Sequence, residues 1–301
     1  MKKCLVLMCT YNGEKYLREQ IDSILAQKGV EVALKVADDC STDGTVSILE
    51  EYRTAHPNVD YTVNQENKRF TYNFIDLFFS ADGTDYDYFA FSDQDDFWQE
   101  EKLLSAIEQI ERMPQNERGT LYCSNLIVTD GNLNPRGMQE GKRILKANKK
   151  TFPYENIATG CTCVFDAKFF RHCKKYYPQN IRLHDYWFFL IAAYTAQYVY
   201  DLDGHILYRQ HGGNQIGSNQ KLFTKRNVKG FRKYQGAQSS LARELLNGYG
   251  EEMSEKDKKR FLRVRDYKKR FSSWLCLLFG ARCHTLKKTF ALKVKVLTHK
   301  L

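Results

Sequence analysis

Over its first hundred or so residues the chain alternates short apolar runs with stretches of helical period, and this alternation narrows the possible folds more than any other feature. Residues 3–9, 32–37, 59–63 and 86–91 read as strands. Leu17, Ile21, Ile24 and Leu25 fall at i, i+4, i+7 and i+8 on one helical face, and Val46, Leu49 and Tyr52 share another. The Ser41-Thr42-Asp43-Gly44-Thr45 turn can cap that second helix. Residues 70–79 read as a third helix, and residues 99–113 as a fourth with Leu103, Ile107 and Ile110 inward. Strand–helix order of this kind implies a largely parallel sheet with helices on both faces. At 301 residues and 43% hydrophobic, the chain can bury a substantial core.

In open sheets of this type ligands bind beyond the carboxyl ends of the strands. The polar segments that follow the four strands are Thr10-Tyr11-Asn12, Asp38-Asp39, residues 64–69 and Asp93-Gln94-Asp95-Asp96. The last places three carboxylates within four residues, directly after a hydrophobic run. Like charges this close repel unless a metal ion or cationic groups neutralise them, although Asp-rich turns also arise simply because Asp accepts backbone hydrogen bonds. Asp96 has a second reading as the cap of the helix that opens near Gln99.

Beyond residue 115 the pattern weakens. Residues 121–129 read as a strand, Asp130-Gly131-Asn132 as a turn, and 137–150 as a polar loop with a basic stretch, either a lid or a disordered connection. Residues 198–208 read as two short strands about Gly204. From Lys221 onward 22 Lys and Arg face 6 Asp and Glu, a net of +16, while the first 220 residues carry 24 against 30, a net of −6. That basic, helical region suits anionic lipid, nucleic acid or a solvated face. The apolar run after Met1-Lys2-Lys3 is too short for a signal peptide, and residues 274–279 fall far below the ~20 residues of a spanning helix. Nine scattered cysteines show no repeated CxxC pair and fit a reducing cytoplasm. Only Cys161-Thr162-Cys163 offers a metal-type spacing, and a weak one.

Taken together, Cys9-Thr10-Tyr11-Asn12-Gly13, residues 37–45 and Asp93-Gln94-Asp95-Asp96 resemble the family 2 glycosyltransferases of the GT-A fold, in order and in spacing. The resemblance covers roughly residues 1–215. Residues 92–98, His184-Asp185-Tyr186-Trp187 and residues 208–214 look most like bacterial rhamnosyltransferases. It implies an α/β GT-A nucleotide-diphospho-sugar transferase fold with a mostly parallel central sheet. Residues 1–115 would form a nucleotide-sugar-binding half, 116–220 an acceptor-binding half, and 221–301 a basic helical C-terminal region.

The resemblance also implies roles for single residues. Asp95 matches the metal ligand and Asp93 the first acid of the Asp-x-Asp motif, with Mg²⁺ or Mn²⁺ as the cation. Asp39 matches the acceptor of a pyrimidine N3–H, with Thr10 and Tyr11 lining the base pocket; its other reading is a helix N-terminal acid held by backbone amides. Arg69 stands where relatives carry Gly and would help hold base or diphosphate, or else is solvated. His211, with Arg209 beside it, would close over the metal or diphosphate, and Gly212-Gly213-Asn214 would let that segment fold over the donor. Gly160 resembles a small residue near the acceptor. Asp185 matches the general base, with Tyr186 and Trp187 available to stack on a sugar, unless Asp185 only caps the helix that follows.

The expected activity is therefore inverting, metal-dependent transfer of a sugar, rhamnose first, from a dTDP- or UDP-donor. The acceptor would be a growing, lipid-linked bacterial surface polysaccharide, and the enzyme cytoplasmic, peripheral on the inner face of the membrane. Two rivals remain. One is a non-catalytic basic protein that binds membrane or nucleic acid through residues 221–301. The other is a nucleotidyltransferase, for which Gly13 alone is a poor phosphate loop.

Overall fold

The structure, a computed structural model, describes residues 1–211 and 237–301. Gly212-Gly213-Asn214 and the first part of the basic region, residues 221–236, lie outside the described residues. The chain divides into two compact units. One comprises residues 1–139, 158–177 and 196–214, the other 140–157, 178–195 and 215–301.

The first unit follows the expected alternation: β1 (Lys2–Thr10), α1 (Leu17–Leu25), β2 (Val30–Asp38), α2 (Thr45–Ala55), β3 (Val59–Val63), α3 (Arg69–Ser80) and β4 (Tyr88–Ser92). Residues 4–10 of β1 are all buried, because β1 lies between β2 and β4 and both of its faces are covered. Leu17, Ile21 and Ile24 of α1 and Leu49 and Tyr52 of α2 pack onto the sheet as the periodicity requires. The strands β3, β2, β1 and β4 are mutually parallel, so their carboxyl ends share one edge.

The remainder makes the sheet mixed. It adds β5 (Phe97–Trp98), α4 (Lys102–Glu111), β6 (Thr120–Thr129), β7 (Pro135–Met138), β8 (Val164–Asp166), α5 (Ala167–Cys173) and β9 (Gln197–Arg209). The strand order is β3-β2-β1-β4-β8-β6-β9-β5, with β7 paired to β6. The pairs β4–β8, β6–β8, β6–β7 and β5–β9 are antiparallel, and β6–β9 is parallel. The fourth helix starts at Lys102, later than its periodicity suggests, because Phe97 and Trp98 pair with Leu207 and Ile206 of β9. Leu103, Ile107 and Ile110 are its buried residues, as expected.

Residues 198–208 belong to one strand instead of two. Gly204 allows this: a Cβ there would lie 3.1 Å from the backbone of Leu126 and Ile127, where the β6–β9 register shifts. Gly204→Ala is expected to cost roughly 1–3 kcal/mol by forcing the two strands apart. A thermal melt checks it, and an unchanged midpoint would mean that β6 and β9 yield freely.

The second unit is helical among its described residues. It contains α6 (His184–Thr195), α7 (Ala237–Tyr249), α8 (Glu255–Asp266), α9 (Phe271–Gly280) and α10 (Leu286–Leu297). Every residue of α6 except Asp185 is buried, which marks it as the central helix of this unit. Trp187 meets Tyr249 edge-on at 5.8 Å, and Tyr194 meets Phe261 at 4.7 Å. Glu155 accepts from His284 Nδ1 at 2.7 Å and from its backbone N at 2.8 Å, both side chains being buried. Ser254 and Thr285 cap α8 and α10 by accepting from the backbone amides of Asp257 and Lys288.

Candidate active site

The loops after β1 and β4 are bolted together by one side chain. Gln94 Oε1 accepts from Tyr11 N at 2.8 Å while its Nε2 donates to Tyr11 O at 3.1 Å. Gly13 makes room for it, since a Cβ at that position would come within 2.3 Å of Gln94 Oε1. Asn12 ties the same loop to the one after β2, with Oδ1 accepting from Thr42 N and its own N donating to Ser41 Oγ, both at 2.8 Å. The loops after β1, β2 and β4 thus form one connected rim.

Asp38 and Asp39, adjacent in sequence, do different work. Asp38 is fully buried and accepts from Thr10 Oγ1 at 2.8 Å, Ser41 N at 2.8 Å and Ser41 Oγ at 2.6 Å, so it shapes the turn. Thr10 is buried and its hydroxyl is committed to this bond, whereas Tyr11 is 44% exposed. Asp39 Oδ1 accepts from Asn64 Nδ2 at 2.9 Å and from Lys68 N at 2.8 Å. Because Lys68 immediately precedes α3, Asp39 stands against the amino end of that helix, whose dipole favours a negative charge. Arg69 has φ 63°, Cys40 φ 64° and Asn12 φ 48°. Left-handed backbone costs a non-glycine residue roughly 1–2 kcal/mol, and here it recurs in three successive strand–helix loops. Arg69 occupies the position where the resemblance leads one to expect Gly, and its φ gives the physical reason.

The acidic elbow after β4 is built around burial. Asp96 is fully buried, with Oδ1 accepting from Arg209 N at 3.1 Å. No N–H or O–H donor reaches its Oδ2, and the Cys161 thiol hydrogen-bonds to this carboxyl. Burial, reinforced by Asp95 and Asp93, pushes its carboxyl well above the usual carboxylate range. It does not cap α4, which starts at Lys102 with no side-chain cap. Ligand atoms of Asp93, Asp96 and Cys161 all lie within 4.8 Å of one another. Burial raises the Cys161 thiol strongly, with Asp96 and Asp93 adding to it. Asp95 faces a different partner: its Oδ2 lies 2.7 Å from His211 Nε2.

Arg209, 3% exposed, organises the elbow from β9. Its Nε donates to Asp95 O at 2.9 Å and Nη1 to Gly131 O at 2.7 Å, while Nη2 pairs with Glu19 of α1. The guanidinium stacks 4.4 Å from the Tyr16 ring centroid, and the His211 ring lies 4.9 Å from the same ring. Lys102, also buried, places its Nζ 3.4 Å from the Trp98 ring centroid, and burial lowers its pKa to about 8.

Asp185 belongs to the second unit, in the first turn of α6. Its Oδ1 accepts from Tyr186 N at 2.6 Å, and the Tyr186 hydroxyl donates to Phe152 O. Trp187 is wholly buried and Tyr186 nearly so, which makes both part of the packing of α6. Gly160 is buried in the turn that leads into β8.

Residues 5–173, more than half of the chain, match the family described as Glycosyl transferase family 2. The chain is 35% identical over 225 residues to the dTDP-rhamnosyl transferase RfbG of Shigella flexneri, covering 70% of this chain and 74% of that protein. It belongs to glycosyltransferase family 2. It is also 31% identical over 103 residues to the putative teichuronic acid biosynthesis glycosyltransferase TuaG of Bacillus subtilis, covering 34% of this chain and 40% of that one. The crystal structure of S. aureus TarS 1-349 in complex with UDP-GlcNAc superposes with a TM-score of 0.60 at 18% identity, covering 100% of this chain and 82% of that one. The mannosyltransferase PcManGT from Pyrobaculum calidifontis, in complex with GDP-Man and Mn²⁺, gives 0.54 at 15% identity over 98% and 79%. These structures establish the GT-A-like fold of this family 2 glycosyltransferase.

In this family 2 glycosyltransferase Thr10, Tyr11, Asp39, Arg69, Asp93, Asp95 and His211 all belong to the first unit, and Asp185 to the second. Sequence reading passes over Gln94, Glu19, Tyr16 and the link between Cys161 and the elbow. Gln94 sits in plain view between two acids, but its partner is backbone 83 residues away, for which the sequence holds no signal.

Proposed function

We propose that this family 2 enzyme is an inverting, metal-dependent transferase. It moves a sugar, rhamnose first, from a dTDP- or UDP-donor to a growing, lipid-linked bacterial surface polysaccharide, working at the inner face of the cell membrane. The observation that carries this reading is the elbow: three neighbouring carboxylates, one of them fully buried with an oxygen that no N–H or O–H donor meets. Carboxylates this close repel one another, and a cation bound among them relieves that repulsion. Carboxylate oxygens, such as those that Asp93 and Asp96 bring within 4.8 Å of each other, suit Mg²⁺ or Mn²⁺, while the soft sulfur of Cys161 is a poor ligand for either. Asp93 and Asp95 would hold the ion, with His211 oriented by Asp95. A divalent ion there supplies positive charge where a nucleoside diphosphate leaves.

The chain's own residues do the rest. Asp39, fixed through Oδ1, receives the N3–H of a pyrimidine, and uracil and thymine present the same edge to it. Tyr11 and Arg69 flank the base and diphosphate. Asp185 takes the proton of the acceptor hydroxyl as the new bond forms at the anomeric carbon and the bond to diphosphate breaks, so one displacement inverts the centre. The RfbG relationship favours dTDP-rhamnose among donors. Incubating the protein and a bacterial lipid-linked saccharide acceptor with dTDP-rhamnose or with each of a set of UDP-sugars tests this. Nucleoside diphosphate released from one donor class, only with Mg²⁺ or Mn²⁺, is the expected result. Release from none of them, or release indifferent to chelation, contradicts it.

A further inference from the structure

The last two described helices have an unusual surface. Phe271 is 73% exposed, Phe279 74%, Leu286 90%, Phe290 73% and Leu297 52%, half of the large exposed hydrophobics among the described residues. The helix α9, FSSWLCLLFG, carries no charge in ten residues. In α10, Leu286, Phe290 and Leu297 fall at i, i+4 and i+11 on one stripe, whereas Leu292 and Val296 fill the buried stripe. Both helices therefore have an inward apolar face and a second, outward one. Around them, residues 267–301 contain nine Lys and Arg and no Asp or Glu. Lys268, Lys269, Arg270, Arg282, Lys287 and Lys288 are exposed, with Asp266 3.9 Å from Arg270 and Glu140 3.7 Å from Lys288.

We infer that α9 and α10 form a docking face for an anionic lipid bilayer, with Phe271, Phe279, Leu286 and Phe290 entering the headgroup boundary and the surrounding cations meeting lipid phosphates. The inference deepens the peripheral placement proposed above and rests on that part of the reading alone. Charge selects the occupant. Two copies of this face would bring one predominantly cationic surface against another, and a nucleic acid would match the cations but leave Leu286 and Leu297 in water. An acidic bilayer surface satisfies both features, as basic amphipathic helices with aromatic and Leu residues on the other face do. No described helix is long and apolar enough to cross a membrane, so the attachment is to the surface.

Co-sedimentation of the full chain with vesicles tests this. Mixed phosphatidylglycerol–phosphatidylcholine vesicles should carry the protein down, and phosphatidylcholine alone should not. Replacing Phe271, Phe279 and Phe290 together with Ser, and separately Lys287→Glu with Lys288→Glu, should each weaken binding about tenfold or more. Exposed positions tolerate such changes, and an unchanged melting midpoint confirms it. Failure of the wild type to bind anionic vesicles, equal binding by the variants, or capture of an RNA oligonucleotide in place of vesicles would overturn the inference. Donor turnover is measured on the same proteins. Variants that lose vesicles but keep turnover support the docking face, whereas vesicle binding in a wild type without turnover sinks only the transfer reaction.

Discussion

Asp185→Asn is expected to bind nucleotide like the wild type and to transfer sugar about 10²–10⁴-fold more slowly. The substitution is nearly silent to the fold. Asp185 lies half-buried in the first turn of α6, where its Oδ1 accepts from Tyr186 N at 2.6 Å, and an Asn Oδ1 can accept the same bond. What disappears is the carboxylate's capacity to take a proton. A helix-capping role alone would therefore leave transfer almost untouched, and a base role would remove it. Single-turnover transfer, alongside nucleotide titration, separates the two. Retained transfer at the wild-type rate would withdraw the assignment.

Asp95→Asn should lower transfer by about 10²–10³-fold, the scale on which one charged or dipolar partner of a leaving group is lost. It should also abolish any gain from added Mn²⁺. Here too the local backbone survives, because Arg209 Nε holds the Asp95 carbonyl at 2.9 Å and Gln94 anchors the preceding residue to Tyr11. The elbow keeps its shape while one carboxylate becomes neutral. His211 Nε2, 2.7 Å from Asp95 Oδ2, keeps an oxygen to pair with but loses its charged partner. A variant as active as the wild type, with the same response to Mn²⁺, would show that the ion sits elsewhere or is not used.

The parallel half of the sheet was legible because buried strands and one-faced helices write their periods directly into the residues, as in residues 4–10 or Leu17, Ile21 and Ile24. The second half was harder. Phe97-Trp98 became a strand only because β9 was there to pair with it, and Gly204 reads as a turn until the backbone of β6 is seen 3.1 Å from where its Cβ would lie. At the site, carboxylates announce themselves in sequence, but their individual environments do not. Asp38 and Asp39 differ in role through hydroxyls and amides of other segments, and Asp96 differs from Asp95 in burial and in partner, Arg209 N for one and His211 for the other. Gln94 and Arg209 organise the rim through backbone carbonyls and amides, partners that no side-chain motif encodes.

The central claim is that the elbow after β4 binds a divalent ion together with the diphosphate of a pyrimidine nucleotide. Calorimetric titration of dTDP and UDP into the wild type and Asp95→Asn, with and without Mn²⁺, tests it most directly. The account predicts that Mn²⁺ tightens nucleotide binding to the wild type at least tenfold, equivalent to about 1.4 kcal/mol, and leaves the variant unchanged. Nucleotide binding to the wild type that is indifferent to Mn²⁺, or the same tightening in both proteins, would contradict it.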